Sequence, residues 1–204
     1  MKPKIYRPLA AFLLIFLVFT VACSSRPFLK VQYQLPSSTA SLEGRSVALE
    51  FSDKRIDKMF LAPDAKKSLK DFDRTFSLIV LNADGSGNLL GVFELFPLLS
   101  EVFTRRLKNE GLEVTKAANE EDPILEVEIN EFTLDLAKGK WIVKMNYTSH
   151  LIKDAKVRSS QKIDGTAERL KVAGKSDAEK ILGELLTDMV NRLDVQRLFQ
   201  QAGL

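Results

Sequence analysis

Cysteine and histidine are almost absent from this sequence, which holds one residue of each among 204. The single cysteine, Cys23, has no second thiol with which to form a disulfide or a thiolate metal site. The single histidine, His150, has no G-x-S-x-G nucleophile elbow elsewhere in the chain to serve as its partner in a Ser-His-Asp hydrolase. We therefore expect no catalytic residues, no metal and no cofactor.

The sequence also lacks an apolar run that could span a bilayer comfortably. Its N-terminal uncharged stretch, Leu9 to Ala22, is 14 residues long, whereas a spanning helix needs roughly 20. Lys2, Lys4 and Arg7 precede this stretch without any acidic residue. A basic start followed by a short apolar segment is the layout of a secretory signal, so residues 1–22 are predicted to be an export signal.

The residues at the end of this segment, Thr20-Val21-Ala22-Cys23, resemble the lipobox of bacterial lipoproteins, although Thr20 stands where Leu is more typical. The resemblance implies that Cys23 is diacylated on sulfur and becomes the mature N-terminus. Each buried methylene contributes ~0.8 kcal/mol, and two or three acyl chains give a stable anchor. The alternative is an ordinary signal peptide with an incidental cysteine.

The residue after the lipobox bears on location. Lipoproteins that stay at the inner membrane tend to carry Asp directly after the lipidated cysteine, and Ser24 stands here instead. By the same resemblance, the expected place is the periplasmic face of the outer membrane, with the inner membrane as the alternative.

Neither sign of charge dominates the mature chain. Removal of residues 1–22 takes away three of the 30 Lys and Arg residues and leaves 27 against 27 Asp and Glu. Because the basic excess belongs to the export signal, the composition gives no support for nucleic-acid binding.

Turn-forming residues separate the lipobox from the first strong strand pattern. Residues 23–45 are predicted to be the lipidated cysteine and a tether, and residues 46–204 a single domain. Within the tether Val31, Tyr33 and Leu35 alternate, so an edge strand at this point is the alternative.

The remaining pattern predicts an α+β fold, an antiparallel or mixed β-sheet with two main helices packed on one face. Strands are predicted at 46–51 and 76–81, with a turn at 82–87 and a helix from Leu95 to just before Gly111. A second helix is predicted from a capping-box spacing at Ser176-Asp177-Ala178-Glu179, followed by a short amphipathic tail from Val195 to Phe199.

A three-strand meander is predicted between these helices. From Ile124 to Ala137 the apolar positions change from odd to even numbers, and a bulge near Asn130 and Glu131 would turn both halves toward one core. The next strand, from Trp141 to Leu151, places its odd-numbered residues inward. Turns are predicted at 138–140 and near Asp154.

The order of elements resembles the YajG family of bacterial lipoproteins. The resemblance rests on the lipobox, the strand VALEF followed by Asp53-Lys54-Arg55, and the helix EVFTRRLKNEGLEV. It implies an envelope lipoprotein of unknown role and brings no catalytic residues. A rival resemblance, to the auxiliary lipoproteins of lipid-trafficking ABC transporters, implies a partner subunit.

Three groups of side chains are candidates for a binding role. Asp53 and Arg55 could form a bidentate structural lock at a strand end or a ligand site, and we favour the lock. Basic residues of the meander could rest on anionic lipid or cell-wall polymer, although a solvated face is the simpler interpretation. They are Lys138, Lys140, Lys144, Lys153, Lys156, Arg158 and Lys162.

The third group is aromatic. Phe93, Phe96 and Phe103 could line a groove for an apolar ligand, although core packing is the simpler interpretation. Two functions remain open: a lipid-anchored, non-catalytic interaction module that engages another envelope protein or the cell wall, and an accessory subunit of a lipid-trafficking ABC transport system.

Overall fold

The computed structural model describes residues 27–115 and 122–204. The predicted export signal and Cys23 lie outside the described residues. Eight strands and four helices are present in the described part of the chain. In chain order they are β1 (Leu29–Gln34), β2 (Ser46–Asp53), α1 (Pro63–Ser68), β3 (Phe76–Leu81), β4 (Gly87–Phe93), α2 (Leu95–Asn109), β5 (Glu113–Thr115), β6 (Ile124–Ala137), β7 (Lys140–Lys153), β8 (Lys156–Leu170), α3 (Lys175–Asn191) and α4 (Val195–Ala202).

The strands form two sheets, which confirms the α+β class with a mixed sheet. The larger sheet has the order β5-β2-β6-β7-β8, and the smaller has the order β1-β3-β4. In the larger sheet β5, β2 and β6 are parallel, while β6, β7 and β8 form the predicted antiparallel meander. The smaller sheet was not foreseen as a separate layer.

The predicted bulge in β6 is present. Pairing with β7 moves from Ile129 opposite Tyr147 to Glu131 opposite Asn146, so Asn130 is the extra residue. Both Ile129 and Phe132 are fully buried as a result. The change of apolar period along the sequence therefore indicated the bulge correctly, because one unpaired residue turns the rest of the strand over.

One face of the larger sheet packs against the two long helices. The β7 residue Tyr147 meets Phe103 of α2 with ring centroids 5.4 Å apart, edge to face. Its hydroxyl donates to the Met189 carbonyl of α3 at 2.8 Å. Burial of these apolar faces supplies most of the driving force for folding.

The first strand corrects the predicted tether of residues 23–45. Leu29, Val31 and Tyr33 are fully buried, and β1 pairs with β3 in parallel along all six residues. The edge strand left open as the alternative is therefore present, and the domain includes residues well before 46. Burial of the alternating apolar side chains in the core decides the structure of this stretch. It outweighs the tendency of the surrounding turn-forming residues to break a strand.

Helix α3 covers the open edge of β1. A Cβ atom on Gly183 would lie 2.7 Å from the backbone oxygen of Gln32, so only glycine allows this approach. Side chains of α3 also bond the free backbone groups of β1: Glu179 accepts from the Lys30 N–H at 3.0 Å, and Thr187 accepts from the Gln34 N–H at 3.1 Å. These contacts protect an edge that could otherwise pair with another chain.

Two local predictions were wrong. The capping box at Ser176 is absent, because α3 begins at Lys175 and the carboxylate of Asp177 instead accepts from the N–H groups of Val172 and Ala173. Strand β4 was missed because two glycines and a bulge interrupt its alternation. The N–H groups before a helix can be satisfied by any carboxylate that reaches them, so spacing alone does not identify the cap.

Candidate functional site

Asp53 and Arg55 contact each other at the end of β2. The guanidinium donates from Nε and Nη2 to the two carboxylate oxygens of Asp53 at 2.9 and 3.0 Å. The Arg55 N–H also donates to Asp53, at 3.1 Å. The two residues thus make with each other the bidentate contact that a structural lock requires. A ligand-binding role for them stays a prediction.

The environment of this pair is asymmetric. Arg55 is 6% exposed and its guanidinium carbon lies 5.5 Å from the centre of the Phe96 ring in α2, a distance suited to a cation–π contact. Hydrogen bonding from Arg55 lowers the pKa of Asp53 well below its usual range. The pair therefore stays ionised and connects the end of the larger sheet to the helical layer.

A second buried pair was not predicted. Arg106 lies in α2, and Glu110 directly follows the last residue of this helix. Each is 7% exposed, and the two side chains form an ion pair. Burial raises the pKa of Glu110, but hydrogen bonds from Thr39 and Arg106 outweigh it and lower the pKa overall. The helical spacing was visible in the sequence, whereas the contact with Thr39 was not. This pair fixes the 36–43 segment to α2.

The basic residues of the meander are spread along the whole length of its strands. Lys138 and Lys140 flank the β6–β7 turn, whereas Lys153, Lys156 and Arg158 lie at the β7–β8 turn. Strand β7 has 14 residues, which places the two turns about 45 Å apart. Antiparallel pairing thus sends successive turns to opposite ends of the sheet. Contact of these residues with anionic lipid or cell-wall polymer stays a prediction.

Lys138 and Lys140 belong to a larger basic surface. The Gly139 carbonyl of their turn accepts from the Lys171 N–H at 2.9 Å, and the indole of Trp141 donates to the Gly174 carbonyl at 2.9 Å. Lys175 Nζ lies 5.9 Å from the centre of the Phe28 ring. The start of β1, the β6–β7 turn and the start of α3 thus meet at one end of the domain.

The segment after α1 joins the same end. The Pro27 carbonyl accepts from the Asp73 N–H at 3.1 Å, and Lys171 Nζ donates to the Ser68 hydroxyl at 2.8 Å. We call this surface the basic end and define it by residues 27–30, 62–75, 136–141 and 168–179. These ranges hold ten Lys and Arg residues against six Asp and Glu residues. Sequence reasoning missed it because four distant segments contribute.

The phenylalanines do not line a common groove in the described residues. Phe103 is fully buried and contacts Phe51 at a centroid distance of 5.5 Å, while Phe93 and Phe96 are partly buried against the core. An open groove of about 640 Å³ lies elsewhere, between β1 and α3. Most of the residues that line it carry polar side chains, among them Gln32, Lys180 and Asp188.

His150 lies on the sheet face away from the helices. Its Nδ1 is 2.7 Å from the Ser160 hydroxyl on β8, and its Nε2 is 3.6 Å from the Glu128 carboxylate on β6. The second distance is longer than a hydrogen bond, so Glu128 does not orient the ring as a triad carboxylate would. The three residues are neighbours on adjacent strands of this sheet face.

Within residues 27–115 and 122–204, no three His, Cys, Asp or Glu side chains are placed to hold a metal ion. No helix there combines the length and apolarity needed to cross a bilayer.

Comparison with known proteins gives information on the fold. No family model matches the chain, and no curated protein matches it. The crystal structure of a Xanthomonas campestris protein of the family DUF330 aligns with a TM-score of 0.50 at 13% identity, covering 86% of this chain and 96% of that chain. At this identity the likeness shows the α+β fold alone.

Two other solved structures are more distant. Rare lipoprotein B from Shewanella oneidensis aligns at 12% identity and a TM-score of 0.42, covering 78% of this chain and 94% of its own. A minor lipoprotein from Acinetobacter baumannii aligns at 9% identity and a TM-score of 0.40, with 76% and 95% covered. These likenesses are too weak to support a conclusion on function, and the YajG resemblance stays a prediction.

Proposed function

We propose that the chain is a bacterial envelope lipoprotein, acylated at Cys23, whose domain is a non-catalytic interaction module. The export-signal layout and the lipobox support the anchor. The observation that carries the proposal is the position of β1: Leu29, fully buried in the core, is the sixth residue after Cys23. An acyl anchor at Cys23 would hold the folded domain itself at the membrane surface.

The proposed location is the periplasmic face of the outer membrane, with Ser24 after the cysteine as its support. The mass of the native protein, extracted from membranes, tests the anchor: we expect a mature chain that begins at Cys23 and carries fatty acids. Cys23→Ser should abolish acylation, whereas Ser24→Ala should leave it intact. A free thiol or a retained leader in the wild-type protein would overturn the proposal.

Strand β4 is the proposed contact surface for a protein partner. It is an edge strand of the smaller sheet, and Leu89 and Val92 on it are 67% and 54% exposed. Leu89 stands beside Ile79 of β3, so apolar side chains continue across the sheet. A free edge with exposed apolar residues can accept a strand from another protein.

A photo-crosslinking residue at position 89, expressed in intact envelopes, tests this surface. The control is position 157, because Val157 is 57% exposed on β8, an edge strand of the other sheet. We expect one discrete protein adduct from position 89 and none from 157. An ABC permease or its solute-binding partner in that adduct would favour the accessory role. Equal adduct patterns at the two positions would contradict the assignment of β4.

A further inference from the structure

The position of β1 restricts how the domain can stand on a membrane. Four residue steps join Cys23 to Pro27, the first described residue. A fully extended chain covers at most about 3.3–3.6 Å per residue, so these steps reach about 14 Å. If Cys23 is acylated as proposed above, the surface around Pro27 must lie within about that distance of the lipid head groups.

Pro27 belongs to the basic end, where it accepts the hydrogen bond from Asp73. The mature chain has no formal net charge, because 27 basic residues balance 27 acidic ones once the export signal is removed. The basic end nevertheless has four more basic than acidic residues. The fold has therefore gathered positive charge at the end that the short connection brings to the membrane.

Apolar side chains are exposed at the same end. Leu170, the last residue of β8, is 62% exposed, and Val172, in the connection from β8 to α3, is 86% exposed. Their backbone is held in place: the Val172 N–H donates to Asp177 at 2.7 Å, and the Lys171 N–H donates to Gly139. Basic side chains around a small exposed apolar group are suited to the interface of an anionic bilayer.

We propose that the basic end docks on the anionic phospholipid head groups of the bilayer that holds the acyl chains. The domain then has one orientation on the membrane. The far end, with the β3–β4 and β7–β8 turns, points away from the surface. The attraction is electrostatic and acts over about the Debye length, ~8 Å at physiological ionic strength. A connection of at most about 14 Å allows the basic end to approach the head groups within this range.

The test uses the full acylated protein in vesicles of phosphatidylcholine with about three parts in ten of phosphatidylglycerol. A spin label is placed at Val172→Cys in the basic end or at Ala83→Cys in the β3–β4 turn, and a paramagnetic chelate on a lipid head group reports proximity. We expect roughly threefold stronger relaxation at position 172 than at 83, since the six residues of β3 separate the β3–β4 turn from the basic end by about 20 Å. The difference should shrink at high salt and without phosphatidylglycerol.

Charge reversal provides a matched pair of variants. Lys66→Glu, Lys70→Glu and Lys138→Glu together change the basic end from a net charge of +4 to −2, because each reversal subtracts two. The control carries Lys108→Glu, Lys156→Glu and Lys162→Glu, three exposed lysines outside the basic end. The first triple variant should bring the relaxation at 172 down to about the level at 83, because its acidic surface is repelled by the anionic head groups. The control should leave the relaxation at 172 unchanged.

The outcomes separate this inference from the proposed function. Mass spectrometry of the same samples shows whether Cys23 is acylated. Equal relaxation at the two positions in acylated protein overturns the orientation and leaves the anchor intact. An unmodified Cys23 overturns the anchor and the orientation together. If position 172 is shielded from solvent in native envelopes but not in vesicles, the basic end is covered by a protein or polymer partner. That result also contradicts docking on lipid.

Discussion

At the scale of single residues, charge pairs in the described part of the chain differ mainly in how far water reaches them. The Asp53–Arg55 pair has a side-chain exposure of 26% for Asp53 and 5% for Arg55. The Asp64–Lys67 pair of α1 has the same 2.9 Å contact but exposures of 63% and 79%. Exposed ion pairs contribute little, whereas loss of one partner leaves a buried charge unsatisfied.

We predict that Asp53→Asn lowers the free energy of unfolding by about 2 kcal/mol at neutral pH, because Arg55 loses a charged partner inside the protein. Asp64→Asn, the exposed control, should change it by less than about 0.5 kcal/mol. Urea unfolding followed by circular dichroism measures both. Equal effects of the two substitutions would show that Arg55 finds another partner.

The same pair predicts a dependence on pH. The pKa of Asp53 is lower in the folded protein than in the unfolded chain. Its contribution to the free energy of unfolding is therefore present above the unfolded pKa, about 3.9, and is lost as pH falls through the folded pKa. The free energy of unfolding of the wild type should therefore fall more steeply with decreasing pH than that of Asp53→Asn. Parallel curves for the two proteins would argue against an ionised lock.

At the scale of elements, the contact of α3 with β1 depends on one missing side chain. In Gly183→Ala, the new Cβ would lie 2.7 Å from the Gln32 oxygen and 3.1 Å from its nitrogen. Alanine gains about 1 kcal/mol over glycine within a helix, but backbone atoms on a packed strand cannot move aside. We predict a net loss of about 1–3 kcal/mol. Thermal unfolding, with the exposed Lys180→Ala as control, measures it.

A rise in melting temperature for Gly183→Ala would mean that α3 can move away from β1 at little cost. The control should stay within about 0.5 kcal/mol of the wild type, since the Lys180 side chain is exposed. The prediction therefore tests the packing of one element on another.

Elements with a long, regular pattern were predictable from the sequence. The bulge at Asn130 and the inward residues of β7 were evident because fourteen-residue strands show their period many times over. Strand β1 was indicated only as an alternative, because six residues give only three inward positions and its partner β3 lies more than forty residues further along the chain. The Asp53–Arg55 contact could be anticipated from spacing. The basic end could not, since no local pattern indicates which distant turns meet.

At the scale of the whole molecule, β1 determines where the domain begins. We predict that a chain starting at residue 27 keeps the native fold, whereas one starting at residue 36 loses it. Full burial of a large apolar side chain contributes about 1.5–3 kcal/mol, so losing Leu29, Val31 and Tyr33 removes an amount comparable with a typical total stability of 5–15 kcal/mol. Near-ultraviolet circular dichroism and proteolysis compare the two chains. Equal protease resistance would contradict an integral β1.

The parallel pairing of β1 with β3 also has a mechanical consequence. Tension applied ahead of Leu29 along the axis of β1 would load its six paired positions together, in shear, so that the ladder could not be peeled open one bond at a time. Tyr33 adds a bond from its hydroxyl to Asn191 of α3 at 2.8 Å, near the far end of the strand. The proposed anchor at Cys23 would thus attach the chain at a point where the protein resists being pulled apart.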